Sequence, residues 1–213
     1  MALSKVDFNS INVTPAASKA IKFNSSNNGL ETGDLGGNLV LISTQTASSS
    51  STIDFTSGID STYKEYIFKF IDIHPSAEAQ FEFQTDIGTD TNYNVTLTST
   101  AFSAQHDEGD SSTNLNYAGG RDHAQQTSFQ SLSHSVKTDN DSSTCGILHV
   151  FEPSSTSKVK HFISSFNFMN TDPGSQNVYN SGYFNTTTAI TRFRFKFASG
   201  NIDSGTIKMY GVL

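Results

Sequence analysis

The sequence has one cysteine, four prolines and no tryptophan among its 213 residues. A single thiol, Cys145, excludes an internal disulfide framework and a cysteine-rich zinc site. Because apolar residues follow it at 146–148, we predict that this thiol is buried and inert. The prolines fall outside the predicted strand interiors, as the hydrogen bonding of a sheet requires.

Charge is also scarce, since only 15% of the residues are charged, and the net charge is −7. A nucleic-acid-binding protein needs a basic surface, so we expect no nucleic acid partner. No run approaches the roughly 18 apolar residues of a membrane helix, so we expect no membrane association. No apolar segment follows Lys5, so we expect no signal peptide and synthesis in a cytoplasm.

Aromatic and small polar residues replace the missing charge. The chain has 17 Phe and 7 Tyr, enough apolar surface for a core, within a background of Ser, Thr, Asn and Gly. Aromatic and β-branched residues favour strands, and small polar residues favour turns. A disordered chain would have few aromatics and a high net charge. The composition therefore predicts a folded all-β protein.

The strand pattern is clearest at residues 53–87 and 190–197. In the second stretch Phe193, Phe195 and Phe197 alternate with Arg192, Arg194 and Lys196, so period two places them on opposite faces. No segment keeps a 3.6-residue apolar period. Nine or ten strands with loops of mixed length predict an antiparallel β-sandwich that is jelly-roll-like rather than an up-and-down barrel.

The chain divides near residue 50 by this pattern. Residues 1–50 contain too little apolar surface to fold alone, and we predict an extended N-terminal arm used for anchoring or assembly. Residues 51–213 form the predicted β-sandwich domain. The apolar run at 39–42 is expected to be the first strand of that domain.

The polar segment at 106–126 is the first candidate site, because a long loop in a compact domain is often functional. His106 precedes Asp107 and Glu108, and Asp122 precedes His123. Imidazole and carboxylate together can bind a metal or transfer protons, but a solvated polar loop has the same composition. Residues 107–110 and 139–141 offer carboxylates to calcium or form Asx turns.

No motif for catalysis or phosphate binding occurs, so we predict a protein that is not an enzyme, with no catalytic, cofactor-binding or metal-binding residues. Two surface features remain. The Arg192, Arg194 and Lys196 stripe could bind an acidic partner or pair across strands with carboxylates such as Glu82. Tyrosines 117, 179 and 183 could stack on sugars or pack at a subunit interface.

Several segments resemble a largely uncharacterised family of virion structural proteins from marine bacteriophages, cyanophages among them. They are GNLVLIS at 37–43, IDFTSGIDSTYKEYIFKFIDIHP at 53–75, AQHDE at 104–108 and SGNIDSGTIKMYG at 199–211. The resemblance covers about residues 37–213. It implies a jelly-roll-like domain in a virion structural protein and brings no catalytic residues.

From the resemblance we expect a protein on the virion exterior, either a capsid decoration or knob or a tail-associated fibre component. Its expected partners are other capsid or tail proteins and further copies of itself, with a trimer as one option. The alternative is a lectin-like receptor-binding module that contacts a host surface glycan.

Overall fold

The computed structural model describes residues 19–33, 38–88, 91–170 and 174–213. The chain forms two compact units, Met1–Asn38 and Leu39–Leu213. In the first unit β1 (Ala20–Phe23) and β2 (Leu30–Gly33) form an antiparallel pair. Asn24 closes the turn between them, because its side chain accepts a hydrogen bond from the Asn28 amide. Most of the predicted arm before β1, residues 1–18, lies outside the described residues.

The second unit is an antiparallel β-sandwich, which confirms the predicted all-β class. None of the described residues is helical. Its strands are β3 (Leu39–Ser50), β4 (Ile53–Phe55), β5 (Glu65–Pro75), β6 (Ala79–Ile87), β7 (Leu97–Asp107), β8 (Thr113–Tyr117), β9 (Gln130–Val136), β10 (Thr144–Phe151), β11 (Lys160–Met169), β12 (Gly174–Phe184), β13 (Ile190–Phe197) and β14 (Ile202–Val212).

Two sheets share these strands. The large sheet has the order β3-β14-β5-β10-β11-β12-β7-β8, and the small sheet has the order β4-β13-β6-β9. Strands that follow one another along the chain often lie in opposite sheets, and the first strand of this unit pairs with the last. This order is compatible with the predicted jelly roll. The pair β7–β8 follows β6, the pair β11–β12 follows β10, and together they extend the large sheet.

Phenylalanine fills the space between the two sheets. Phe195 of β13 is fully buried, and its ring centre lies 5.0–6.3 Å from the centres of five other phenylalanine rings. Those rings belong to Phe55, Phe68, Phe70, Phe81 and Phe83. Several pairs meet edge to face, which is the favoured geometry of aromatic rings. The alternation predicted for 193–197 is therefore confirmed.

The extension of the large sheet has a different interior. Along β7 and β12 the buried positions include Ser99, Ser103, Gln176 and Asn180. Strand β9, at the edge of the small sheet, contacts β11 and β12. Towards this edge of the sandwich, buried polar side chains therefore interrupt an apolar interior that includes Leu97, Val178 and Phe184.

Three sequence predictions need correction. The segment at 106–126 is only partly a loop, because β7 runs to Asp107 and β8 pairs with it. The alternation of Tyr93, Val95 and Leu97 predicts a strand at 92–98 with these side chains on one face, but the strand begins at Leu97, although Tyr93 and Val95 are buried. Cys145 is exposed. The even-numbered side chains of β10 face the core, so Cys145 lies on the outer face despite its apolar neighbours.

The boundary between the two units precedes β3. The ten residue pairs that join β3 to β14 include Thr46, Ala47 and Ser48. Residues 39–50, which were counted in the arm, are therefore part of the sandwich.

Candidate functional site

A polar cavity of about 500 Å³ lies where the small sheet ends and the large sheet continues. It is lined by Ser103, Gln105, Asn116, Tyr117, Ala118, Gly119, Gly120, Arg121, His134, Ser135, Asn170 and Gln176. Polar atoms make up most of this lining, so the cavity suits a ligand rich in hydrogen-bonding groups rather than an apolar one.

Sheet register sets the floor of the cavity. Gln176 pairs with Gln105, and Asn116 pairs with Ser103, so these side chains share one face of the sheet. The side-chain amide of Gln176 donates a hydrogen bond to the side-chain oxygen of Gln105 over 3.3 Å. The floor is therefore a row of amides and hydroxyls, which can both donate and accept hydrogen bonds.

The segment after β8 places Arg121 at the cavity. It runs along β7, because the Ala118 amide donates to Ala101 at 2.8 Å and the Ser99 amide donates to His123 at 2.9 Å. The buried Gln130 side chain donates to the Arg121 carbonyl at 2.8 Å and fixes this turn against β9. These bonds hold the Arg121 backbone, so its side chain is presented from an ordered turn.

Three buried polar atoms, on residues that line the cavity, have no hydrogen-bond partner among the described residues. They are Arg121 Nε, His134 Nε2 and Asn170 Oδ1. Buried polar groups in folded proteins are nearly always paired, so each unpaired one needs an explanation. All three residues line the same cavity, so the unpaired atoms lie in the walls of one candidate site.

The electrostatics of the cavity follow from its burial. Burial, together with the nearby charge of Arg121, lowers the pKa of His134 to about 4. Burial also lowers the pKa of Arg121 from its ordinary value, but a guanidinium remains charged at neutral pH. At neutral pH the described lining therefore holds one cation, Arg121, beside a neutral imidazole.

Of the three tyrosines considered for sugar stacking or a subunit interface, two lie away from the cavity. Tyr117 borders the cavity at the edge of the sheet, is 61% exposed, and donates from its hydroxyl to Asp122 at 2.7 Å. Tyr179 stacks on Phe102 with ring centres 4.8 Å apart, on the outer face of the sheet. Tyr183 is also on that outer face, beside His161. Only Tyr117 contributes to the cavity.

The histidines of the polar segment do not form a metal site. His106 contacts Asp110 at 3.1 Å on the surface, and His123 Nδ1 contacts Gln126 and Ser128. Asp107 accepts hydrogen bonds from the Ser111 hydroxyl and from the amides of Ser112 and Ser111, which lower its pKa and make it a turn residue. Among the described residues no group of three or more His, Cys, Asp or Glu could hold a metal ion.

The acidic segment at 139–141 borders a second cavity. Asn140 and Asp141 line it with Asp72 and Asp203 in a volume of about 400 Å³. The Asp139 carbonyl accepts from the Ser142 amide, as in a turn. The interpretation as turn chemistry therefore fits the hydrogen bonding.

Two residues of the basic stripe of β13, Arg194 and Lys196, are paired within the sheet. Arg194 makes two hydrogen bonds to Asp54, at 2.8 and 2.6 Å, and Lys196 forms an ion pair with Glu82 at 2.9 Å. The pairing with Glu82 is as the sequence indicated. The Arg194 guanidinium also lies 4.0 Å from the centre of the Tyr93 ring. These two charges stabilise the sandwich and do not form an open anion-binding surface.

Comparison with protein-family models, curated proteins and solved structures found no match to this chain. The resemblance to marine phage proteins therefore stays a prediction. Within the described ranges, no helix has the length and apolar character needed to cross a membrane.

Sequence reasoning missed Arg121, His134, Asn170 and Gln176. The four lie in different segments, and only strand register and the turn after β8 bring them together. The one available signal was the placement of polar residues at inward positions of β7, β9 and β12. That signal needs the register to be known.

Proposed function

We propose that this chain is a carbohydrate-binding β-sandwich module and that the cavity between β7, β8 and β9 is its binding site. The observation that supports this proposal is the set of three unpaired buried polar atoms on Arg121, His134 and Asn170, three residues that line one polar cavity. A ligand with many hydroxyls would complete their hydrogen bonds.

The lining matches the chemistry of a sugar. A sugar hydroxyl both donates and accepts, as do the amides of Gln105 and Gln176 and the hydroxyl of Ser103. A sugar ring also has an apolar C–H face, which packs against an aromatic ring such as that of Tyr117 at the mouth. The combination of amides, hydroxyls and one exposed aromatic favours a carbohydrate over an apolar ligand.

We assign binding rather than turnover to the cavity. Glycosidases generally act through two carboxylates on opposite sides of the scissile bond. The described lining contains no Asp or Glu. The nearby carboxylate, Asp122, accepts a hydrogen bond from Tyr117.

Isothermal titration calorimetry with a panel of bacterial-envelope oligosaccharides would test this function. We expect at least one to bind the wild-type protein, and Asn170→Ala and Tyr117→Ala to weaken that binding by about tenfold or more. Tyr179→Ala is the matched control, because Tyr179 lies on the outer face and should leave binding unchanged. If no oligosaccharide binds, or if Tyr179→Ala weakens binding as much as Tyr117→Ala does, the assignment is wrong.

We also propose that the module is a structural component of the exterior of a bacteriophage virion, where binding a host glycan would serve attachment. The resemblance at residues 37–213 supports this setting. So does the exposed edge strand β8, where all five residues are exposed and Leu115 is 71% exposed. Unpaired edge strands and exposed apolar residues are the features through which subunits assemble.

The virion proposal has its own test. Antibodies raised against the folded protein should label intact particles, and the purified protein should sediment as a homo-oligomer, for example a trimer. Absence of the protein from purified particles would refute the proposal without affecting the sugar-binding test. If isolated monomers and intact particles protect residues 1–38 from proteolysis equally, the anchoring role of the arm is wrong.

A further inference from the structure

We infer that the ligand of the polar cavity carries a carboxylate and that Arg121 binds it, so the module selects acidic over neutral carbohydrates. This inference rests on the proposed function, because it names the class of sugar that the same cavity takes.

Arg121 is a cation without a counter-ion in the described part of the chain. Its Nε is buried and unpartnered, and none of the ion pairs among described residues includes it. Arg194, in contrast, donates two hydrogen bonds to the Asp54 carboxylate, one from Nε and one from Nη2. A partly desolvated guanidinium that lacks a carboxylate is therefore a position that an anion would fill.

The rest of the described lining does not compete for that anion or repel it. It contains no Asp or Glu, and the His134 imidazole beside Arg121 is neutral at neutral pH. The remaining groups are the amides and hydroxyls that recognise the sugar ring. One cation in a neutral polar cavity fits a ligand with a single negative group on a polyhydroxylated body.

The shape of the guanidinium favours a carboxylate over a less directional contact. Its planar N–H fork matches the two oxygens of a carboxylate in parallel hydrogen bonds. Nε–H is one of the fork's donors, and it is the unpaired atom here. A uronic acid supplies both parts of the ligand, since it is a sugar that bears a planar carboxylate.

The test compares each uronic acid oligosaccharide with its own methyl ester. Galacturonate, glucuronate, mannuronate and guluronate trimers and their esters are titrated into the full-length protein by calorimetry at pH 7. We expect at least one acid to bind about tenfold or more tightly than its ester, with the preference falling as salt is raised. Arg121→Met should reduce that preference to about onefold, whereas Tyr179→Ala should retain it.

The outcomes separate the two proposals. If esters or neutral sugars bind as tightly as the acids, acid selection is wrong and carbohydrate binding stands. Binding of sulfated but not carboxylated sugars would refute the carboxylate while leaving the cavity as a sugar site. If no saccharide binds, both proposals fail.

Discussion

Replacement of Arg121 by Met in the ligand-free protein should raise its stability. The guanidinium has a buried Nε without a partner, and burial lowers its pKa, which means that its surroundings disfavour the charge. Met keeps a long side chain without a charge or a donor. The backbone bonds of residue 121, to Ala118 and from Gln130, stay in place because they do not involve the side chain.

The size of the effect follows from the unpaired donor. A buried donor that lacks a partner costs about 1–3 kcal/mol. The side chain is only partly buried, so solvent offsets some of that cost, and we expect a gain of about 1 kcal/mol for Arg121→Met. For a chain of this length that gain corresponds to a rise of about 2–4 °C in Tm.

Arg194→Met is the matched control, because Arg194 is an arginine whose partners are known. It makes two hydrogen bonds to Asp54 and lies over the Tyr93 ring. Loss of this pair should lower stability by about 1.5–3 kcal/mol. Urea unfolding, followed by circular dichroism because the chain has no tryptophan, measures both variants. If Arg121→Met destabilises the protein as Arg194→Met does, Arg121 is a structural residue and the reasoning about an open anion position is refuted.

Three further predictions concern the core, the cavity and the thiol. Phe195→Ala should lower the free energy of unfolding in urea by about 3–5 kcal/mol, because the ring is fully buried among five others. Phe102→Ala, at an exposed ring, should lower it by well under half of that amount, and equal losses would contradict the assigned core. The His134 imidazole has a pKa of about 4 in the fold against 6.5 in the unfolded chain. Its contribution to the free energy of unfolding is therefore full above pH 6.5 and declines by about 1–2 kcal/mol as the pH falls towards 4. His134→Gln should flatten this decline, and an unchanged pH profile would refute the burial of a neutral imidazole. Cys145 should react with a thiol reagent in the native protein without denaturant, since it is exposed, and reaction only after unfolding would restore the original prediction of a buried thiol.

The apolar core could be predicted from sequence because its strands carry a local signal. Phe193, Phe195 and Phe197 alternate with charged residues, and such alternation fixes which side chains face the core without knowledge of the neighbouring strands. The same alternation left two alternatives for the charged face, and the ion pair of Lys196 with Glu82 matches the alternative of pairing across strands. Cys145 was misassigned because its neighbours were read as a run, although alternation along β10 places it outside.

The buried polar positions of β7 and β12 could not be predicted in the same way. Strand β7 carries Ser99, Ser103 and Gln105 at inward positions, and outward Phe102 gives the opposite of the usual pattern. A polar residue at an inward position is indistinguishable in sequence from one in a loop, so the segment at 106–126 was read as a loop. The pairing of β7 with β12 and β8 is a long-range property of the fold.

The buried polar residues beneath β7 and β12 contrast with the apolar interior of the rest of the sandwich, and this contrast bears on the role of the cavity. Leu97, Val178 and Phe184 of β7 and β12 join the phenylalanine core, and apolar residues at the remaining inward positions would add about 1.5–3 kcal/mol each. The chain instead places Gln176, Ser103 and Asn180 there and leaves polar atoms of Arg121 and His134 unpaired. Gln176 and Asn180 recover part of that loss through hydrogen bonds to Gln105 and Ser164, whereas the unpaired atoms of Arg121 and His134 have no described partner. A bound polar ligand would account for them, which is why Arg121→Met should gain stability and lose acid recognition in the same molecule.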